Sequence, residues 1–436
     1  MEKNLHSTKQ KIYKMKRTMV FLFILILFTS TFLPAQELYV GAATRIITPN
    51  PLIAVSGGVG TPIPSHIKNG DLTVRAIVFE KKGERIAIVN IDNLGWPAVL
   101  GDKSRKLIQG IPPENILIGV THTHSAPDAY AFMDEKGNIG ADLDYLDWCV
   151  VQISDAVNEA IQNLEIADLK IAVGEAKGKI AYNYYAPKLY DPRCGVIQAI
   201  NKKGKAIATL VNYAIHPEVI GNSRDILSPD MVGPLYDRIE EKTGGIAIFM
   251  NGAQGGMITA DNRRENGKEA NDWAECIRIG ELLADEALRI VANAPIQKNP
   301  NIYCTSKDVE FPVDSEMMLF ILNNSPLALK TSKENTINTK INLLNIGSAQ
   351  ILTIPGEALP NIGFYLKRNM PTEHAFLFGL TNDAFGYILT KEDYNSFKRY
   401  EYVSQTSLGE MTGEILIEEL LEMIKTNPKP VLNSNY

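Results

Sequence analysis

Short runs rich in Val, Ile and Leu alternate along this chain with longer stretches in which apolar residues recur every three or four positions. The short runs fall at residues 75–79, 85–91, 116–120, 171–174, 206–213, 246–250, 341–346 and 350–354. Their length and β-branched content predict buried strands. The longer stretches, at 144–163, 231–242, 272–294, 359–369 and 409–425, carry the helical period with one apolar face. Strands interleaved with helices in this way predict an α/β (mixed α+β) fold, a single large domain over 36–430 with a mixed β-sheet core flanked by helices. No repeat and no low-complexity linker interrupts it. The piece at 323–340, rich in Asn, Lys and Thr, predicts an exposed insertion.

Residues 1–35 stand outside this pattern. Lys9, Lys11, Lys14, Lys16 and Arg17 precede an apolar run from Val20 to Phe28, and small residues lead on to Ala35. This is the layout of a secretory signal peptide cut near Ala35–Gln36, so the protein is expected to be secreted or periplasmic. An uncleaved anchor is the second reading, and the run falls short of the roughly 20 residues that a span needs. Residues 1–35 hold six of the 44 Lys/Arg and one of the 50 Asp/Glu, so cleavage leaves 38 against 49, a net charge of −11. That balance disfavours nucleic acid and offers no polybasic patch for a membrane. Cys149, Cys194, Cys276 and Cys304 lie far apart, without the paired spacing of a zinc ribbon.

The chemistry gathers at the predicted strand ends. Val120-Thr-His-Thr-His-Ser-Ala-Pro-Asp128 follows the run 116–120 directly. In extended chain, residues two apart project to one side, which would aim His122 and His124 into one cleft. His216 closes another run, in Asn212-Tyr-Ala-Ile-His-Pro217. Imidazole is the commonest zinc ligand, and three of them supply most of a zinc shell. A carboxylate is the usual remaining member. Glu357, after the turn Pro355-Gly356, is a candidate, although a carboxylate opening a helix is its commoner role. The glycines of 251–256 allow a loop whose backbone approaches a ligand, and equally a plain turn. Tyr387 reads on its own as a packed aromatic.

Taken together, these segments resemble the catalytic domain of the neutral/alkaline (non-lysosomal) ceramidase family. Gly41-Ala-Ala-Thr-Arg-Ile-Ile-Thr-Pro49, Asn90-Ile-Asp-Asn-Leu-Gly95, the Thr-His-Thr-His-Ser block, Asn212 to Pro217, Pro355-Gly-Glu357 and Gly386-Tyr-Ile-Leu-Thr390 occur in the family's order. The resemblance implies zinc held by His122, His216, Glu357 and Tyr387, with His124 as a hydrogen-bonding or proton-transfer group. Zinc would lower the pKa of a bound water and polarise the scissile carbonyl.

Three departures qualify that implication. Thr259 stands where the family has a catalytic serine, which keeps a hydroxyl but adds a methyl that stiffens χ1. Asn183-Tyr184-Tyr185 stands where the family contacts substrate through Asn-Arg-Ser, so the guanidinium fork is missing. Asn183, Tyr184 and Tyr400 remain the expected substrate contacts. No C-terminal immunoglobulin-like domain is expected after 430.

The activity implied is zinc-dependent hydrolysis of an amide in a ceramide-like N-acyl lipid. The alternatives are another N-acyl or O-acyl substrate (a glycoconjugate or bacterial lipid) and a non-catalytic binding protein. The implied partner is a lipid or small-molecule substrate, with membrane contact only peripheral and through that substrate. No protein partner is implied.

Overall fold

The computed structural model describes residues 13, 37–58, 62–132, 137–221, 225–264, 268–329 and 331–431. The expected signal segment, 1–35, lies outside the described residues apart from Tyr13. Leu38–Tyr436 form one compact unit.

Its principal sheet contains β1 (Tyr39–Ile46), β2 (Thr73–Lys81), β3 (Glu84–Ile91), β4 (Ile116–Val120), β5 (Glu165–Glu175), β6 (Arg193–Asn201), β7 (Ala206–Tyr213) and β8 (Ile246–Asn251). They lie in the order β8-β7-β6-β5-β1-β2-β3-β4, and Ile296–Gln297 adds a short strand beside β5. A second sheet stacks on it, with β9 (Ile302–Pro312), β10 (Thr336–Ile346), β11 (Ala349–Thr353) and β12 (His374–Phe378) in sequential order. The mixed sheet core expected from the sequence is therefore two sheets face to face.

Parity explains the stacking. In β2, Ile77 and Phe79 point toward the second sheet, and Val74, Ala76 and Val78 point the other way. Leu344, Ile346, Ile351, Phe376 and Phe378 of the second sheet meet the first set in a core without a helix. The opposite face of the principal sheet is covered by α1 (Ala98–Leu107) and α2 (Leu143–Gln162) over one half. Over the other half lie α3 (Val232–Thr243) and α4 (Trp273–Ala292). The outer face of the second sheet is covered by α5 (Glu316–Asn324), α6 (Pro360–Asn369) and, after the short α7 (Glu401–Gln405), α8 (Thr412–Thr426). With both faces buried, strands read as continuous apolar runs, which is why the sequence displays them so plainly.

Local chemistry sets the helix ends. Asp142 caps α2 by accepting from the amide of Tyr145 at 3.0 Å, and Asp272 caps α4 by accepting from that of Glu275 at 2.9 Å. The buried residues of α2, from Tyr145 and Cys149 through Ile153 and Ala156 to Ala160, keep helical spacing. At Gly41 any Cβ would lie 2.1 Å from the carbonyl oxygen of Ala160, so glycine is what allows β1 to pass beneath that helix.

Most neighbouring strands are antiparallel. Within these two sheets three adjacent pairs are parallel: β3 with β4 across α1, β7 with β8 across α3, and β11 with β12 across α6. Each crossover leaves two strand ends on one edge, the usual position of a functional crevice in such sheets. The stretch 323–340 is largely exposed, as expected, but is not a separate insertion. It supplies the end of α5 and the start of β10, and Leu329 and Ile337 pack against the outer core of the second sheet.

Truncating the fully buried Phe376, Phe376→Ala, should cost about 3–5 kcal/mol of stability, read from the urea unfolding midpoint.

Candidate metal centre

β4 runs out at Val120 and Thr121, and His122 turns the chain with φ +69°, a left-handed conformation rare outside glycine. The turn is held by its amide, which donates to the carbonyl of Asn93 at 2.9 Å. Its Nδ1 donates to the carbonyl of Leu94 at 2.6 Å. β7 delivers His216 in the same manner. Its amide and its Nδ1 both donate to the carbonyl of Ile258, at 2.7 and 2.9 Å. A ring nitrogen facing a carbonyl oxygen must carry the proton, so each ring, when neutral, turns an Nε2 lone pair inward.

Glu357 follows β11 and forms a two-residue parallel pairing with Tyr387, beyond β12. Its amide donates to the carbonyl of Gly386 at 2.7 Å. The glycine loop after β8 lies against it, where a Cβ on Gly255 would come within 2.1 Å of the Glu357 carbonyl oxygen. The glycines therefore serve a close backbone approach, to the main chain beside Glu357. The Glu357 Oε2 sits 3.0 Å from His216 Nε2 and 3.5 Å from His122 Nε2.

Acceptor atoms this close repel one another unless a proton or a cation lies among them, and neutral imidazoles with a carboxylate are a zinc donor set. The residues fit a metal ion. Burial opposes the Glu357 charge, but His122 and His216 outweigh it and hold the carboxyl well below the usual range. Burial likewise lowers His216, and its bond to Glu357 overrides that effect and raises it.

His124 stands beside this group with its Nε2 3.4 Å from that of His122. Together His122, His124 and His216 place three potential ligand atoms within 4.8 Å of one another. Burial pushes His124 down to about 3, so the ring is neutral near pH 7. Its Nδ1 faces Glu218 Oε2 at 3.7 Å. Burial raises the Glu218 carboxyl, but the nearby His124 and His216 and a hydrogen bond from Thr259 leave it lowered. Thr259 bridges main chain to main chain with His216, and its hydroxyl reaches the centre through Glu218.

The other expected site residues are placed as follows. Tyr387 is buried, and its hydroxyl donates to Met257 Sδ at 3.3 Å. Asn183 is also buried, and its side chain is engaged with its own loop. It donates to the carbonyl of Leu189 and accepts from the amides of Tyr185 and Ala186. Both ends of the amide thus serve the turn. Tyr184 is 62% exposed and packs edge-on to Tyr185 at 5.6 Å. Tyr185 in turn lies 5.3 Å from Tyr400, so these rings form an aromatic wall outside the metal group.

A cavity of about 360 Å³ opens from His122, His124 and Glu357, past Tyr387 and Tyr402. Met318, Leu322, Leu329, Ile337 and Phe385 give it apolar walls, beside the polar Ser332, Thr336 and Asn338. Sequence reasoning missed Glu218 and Tyr402. Glu218 had a usable signal, because it lies two residues after His216 and so on the same side of extended chain. Tyr402, rather than Tyr400, lines the cavity, with its ring 6.1 Å from that of Tyr387.

No family model and no curated protein matches this sequence. Its structure is similar to that of neutral ceramidase from Pseudomonas aeruginosa, with a TM-score of 0.75 at 18% identity, over 89% of this chain and 74% of that one. It is also similar to a ceramidase complexed with C2, with a TM-score of 0.71 at 17% identity, over 92% of this chain and 78% of that one. The chain therefore has a neutral ceramidase-like fold.

The lowered His124 makes a signed prediction for the metal-free protein. Between the ordinary value of 6.5 and about 3, the unfolded chain binds a proton that the folded chain refuses. Stability is therefore full above 6.5 and is lost as pH falls toward 3, and His124→Gln should flatten that part of the urea-midpoint profile relative to wild type.

Proposed function

We propose that this fold serves a secreted, zinc-dependent hydrolase that cleaves the amide bond of a ceramide-like N-acyl lipid. One observation carries the reading: inward-facing imidazole nitrogens and a carboxylate line a cavity with largely apolar walls. His122, His216 and Glu357 would hold the metal. When bound, zinc supplies Lewis acidity, which lowers the pKa of water and polarises a carbonyl. The likeness in fold to two ceramidase structures supports the substrate class.

The chain's own groups divide the remaining work. Met318, Leu322, Ile337 and Phe385 exclude water from an acyl chain and orient it, which brings the amide to the metal group. Tyr387 and Tyr402 flank the position of that amide, each with a hydroxyl kept protonated by burial and by Glu357. A protonated phenol can donate to a carbonyl oxygen as charge develops there. Thr259 acts one step removed, through Glu218.

The polar end of the substrate would meet the aromatic wall of Tyr184, Tyr185 and Tyr400. This wall, standing where a guanidinium is expected, favours a second reading in which the headgroup is a glycoconjugate or the bond an ester. Secretion rests on the leader-like residues 1–35, and no described helix is long and apolar enough to cross a membrane. Membrane contact in this reading is peripheral, through the lipid.

Elemental mass spectrometry of the purified protein should give about one zinc per chain, and His216→Ala should lose it together with hydrolysis of N-acylsphingosines. Wild type that binds no metal when supplied with zinc would sink this reading. Filling the apolar wall with Leu322→Trp should lower kcat/KM for long-chain N-acyl substrates about ten-fold or more, and much less for an N-acetyl one. The scale follows from roughly 0.8 kcal/mol per buried methylene. Equal losses on both substrates would place the acyl chain elsewhere.

A further inference from the structure

We propose that Asp383 determines specificity: its carboxylate, together with the Tyr130 hydroxyl, receives a hydroxyl group carried on the substrate's acyl chain. This rests on the reading above, in which that chain enters the cavity. It narrows the substrate class to N-acyl lipids whose acyl chain is hydroxylated.

Two carboxylates line the cavity among the described residues, those of Glu357 and Asp383. Glu357 is accounted for by His122 and His216. Asp383 sits instead beside Ala98 and Ala384, which line the same cavity. Ser332 and Thr336 also line it, but their hydroxyls bond each other at 2.8 Å and serve their own turn.

Helix capping explains one oxygen of this carboxylate. Oδ1 accepts from the amide of Ala98, the first residue of α1, at 3.1 Å, and from that of Ala384 at 3.0 Å. Pro97 at the cap position supplies no side-chain bond, so Asp383 does that work from a distant segment. Neither bond uses Oδ2, and a carboxylate oxygen has room for two donors. The Thr339 hydroxyl lies near the carboxyl without a hydrogen bond of ordinary length. Arg105 is close as well, but its guanidinium is taken by Asp102, Asn382 and the carbonyl of Ile116. Burial outweighs the existing bonds and raises Asp383 to about 6, as expected of a carboxylate short of partners.

The mounting is firm. Asn382 holds left-handed backbone at φ +73°. Its amide donates to the carbonyl of Ile118 at 2.8 Å, and its side chain bonds Arg105 at 2.7 Å and Asn342 at 2.8 Å. Asp383 therefore has little freedom to swing out of the wall when the cavity fills. Tyr130 lines the cavity too, and a Cβ on Gly95 would lie 2.1 Å from its hydroxyl oxygen, so glycine makes room for that group. Burial raises the phenol well above its ordinary value, and Glu357 and Asp383 both add to the rise. It stays protonated within the field of both carboxylates. A substrate hydroxyl can then donate to Asp383 and accept from Tyr130.

This arrangement selects against a plain chain. Hydrocarbon filling the cavity strips the carboxylate of solvent and returns nothing, whereas a hydroxyl restores the lost bond. Sites built to bond a substrate hydroxyl reject the analogue that lacks it far more strongly than apolar pockets reject a missing methylene.

The test compares N-acylsphingosines of one chain length, either plain or hydroxylated at the α carbon, the β carbon or the chain end. At least one hydroxylated member should exceed the plain one in kcat/KM about ten-fold or more, the scale of a bond to a charged group. Asp383→Asn, which keeps an acceptor for the α1 cap, should lose most of that ratio, through a rise for the plain chain as well as a fall for the hydroxylated one. Tyr130→Phe should lower the ratio about three-fold or more, the scale of a neutral hydrogen bond. Calorimetric binding of the free acids to wild type reads the same preference without turnover and without any variant having to fold. Equal kcat/KM across the panel, or equal binding of plain and hydroxylated acids, overturns the assignment and leaves the hydrolase standing. So does an Asp383→Asn variant that weakens both substrates alike, which would reduce the residue to its cap. Wild type that hydrolyses no member yet binds a hydroxylated acid preferentially overturns the hydrolase and keeps this site.

Discussion

The carbonyl groups of Leu94 and Ile258 each accept the Nδ1 proton of a buried histidine, and the rest of the centre depends on that pair of bonds. They settle the tautomer of both rings, and so the direction in which each lone pair points. The carbonyls have no freedom of their own, because Leu94 follows β3 and Ile258 belongs to the short strand that pairs beside Asn183. The sheet thus determines ring chemistry through backbone geometry. With the two Nε2 atoms directed inward, both face the buried carboxylate of Glu357, and a proton or cation among these atoms is what offsets its burial.

The cost of this arrangement is borne by the backbone and offset by the core around it. His122 and Met257 both hold left-handed conformations, each unfavourable by about 1–3 kcal/mol where the surroundings do not enforce it. The enforcement comes from two stacked sheets with helices on both outer faces, so that the strands ending at the centre are buried along their length. Three parallel crossovers in two different sheets bring their ends to one edge. A purely antiparallel meander would spread those ends over both edges.

Much of this was legible in the sequence, for a definite reason. Strands buried on both faces read as apolar runs, and polar residues just beyond those runs, His122, His216 and Glu357, stood out as strand-end chemistry. The stacking of two sheets was not legible, because an apolar run does not say which of its faces meets a helix and which meets another strand. All of β9 and the N-terminal half of β10 also escaped, since many of their side chains are half-exposed and polar residues interrupt the pattern. Within the site, spacing alone could not separate a ligand from a neighbour. His124 faces both His122 and, at 3.7 Å, Glu218, and the difference between Tyr400 and Tyr402 depends on how a short helix is rotated. For Asn183, a motif position says nothing about the bonds that the side chain makes within its own turn.

The cavity has two authors along the chain. Its metal-facing end comes from loops after β4 and β11, whereas much of its apolar wall comes from α5 and the approach to β10. The latter segment contributes no ligand and touches the centre only through empty space. Insertions, deletions and side-chain exchanges there can reshape the chamber without disturbing the orientation of a single imidazole. Selection can therefore reshape this chamber while the histidine and carboxylate cluster stays unchanged, so the two halves of the cavity can vary independently.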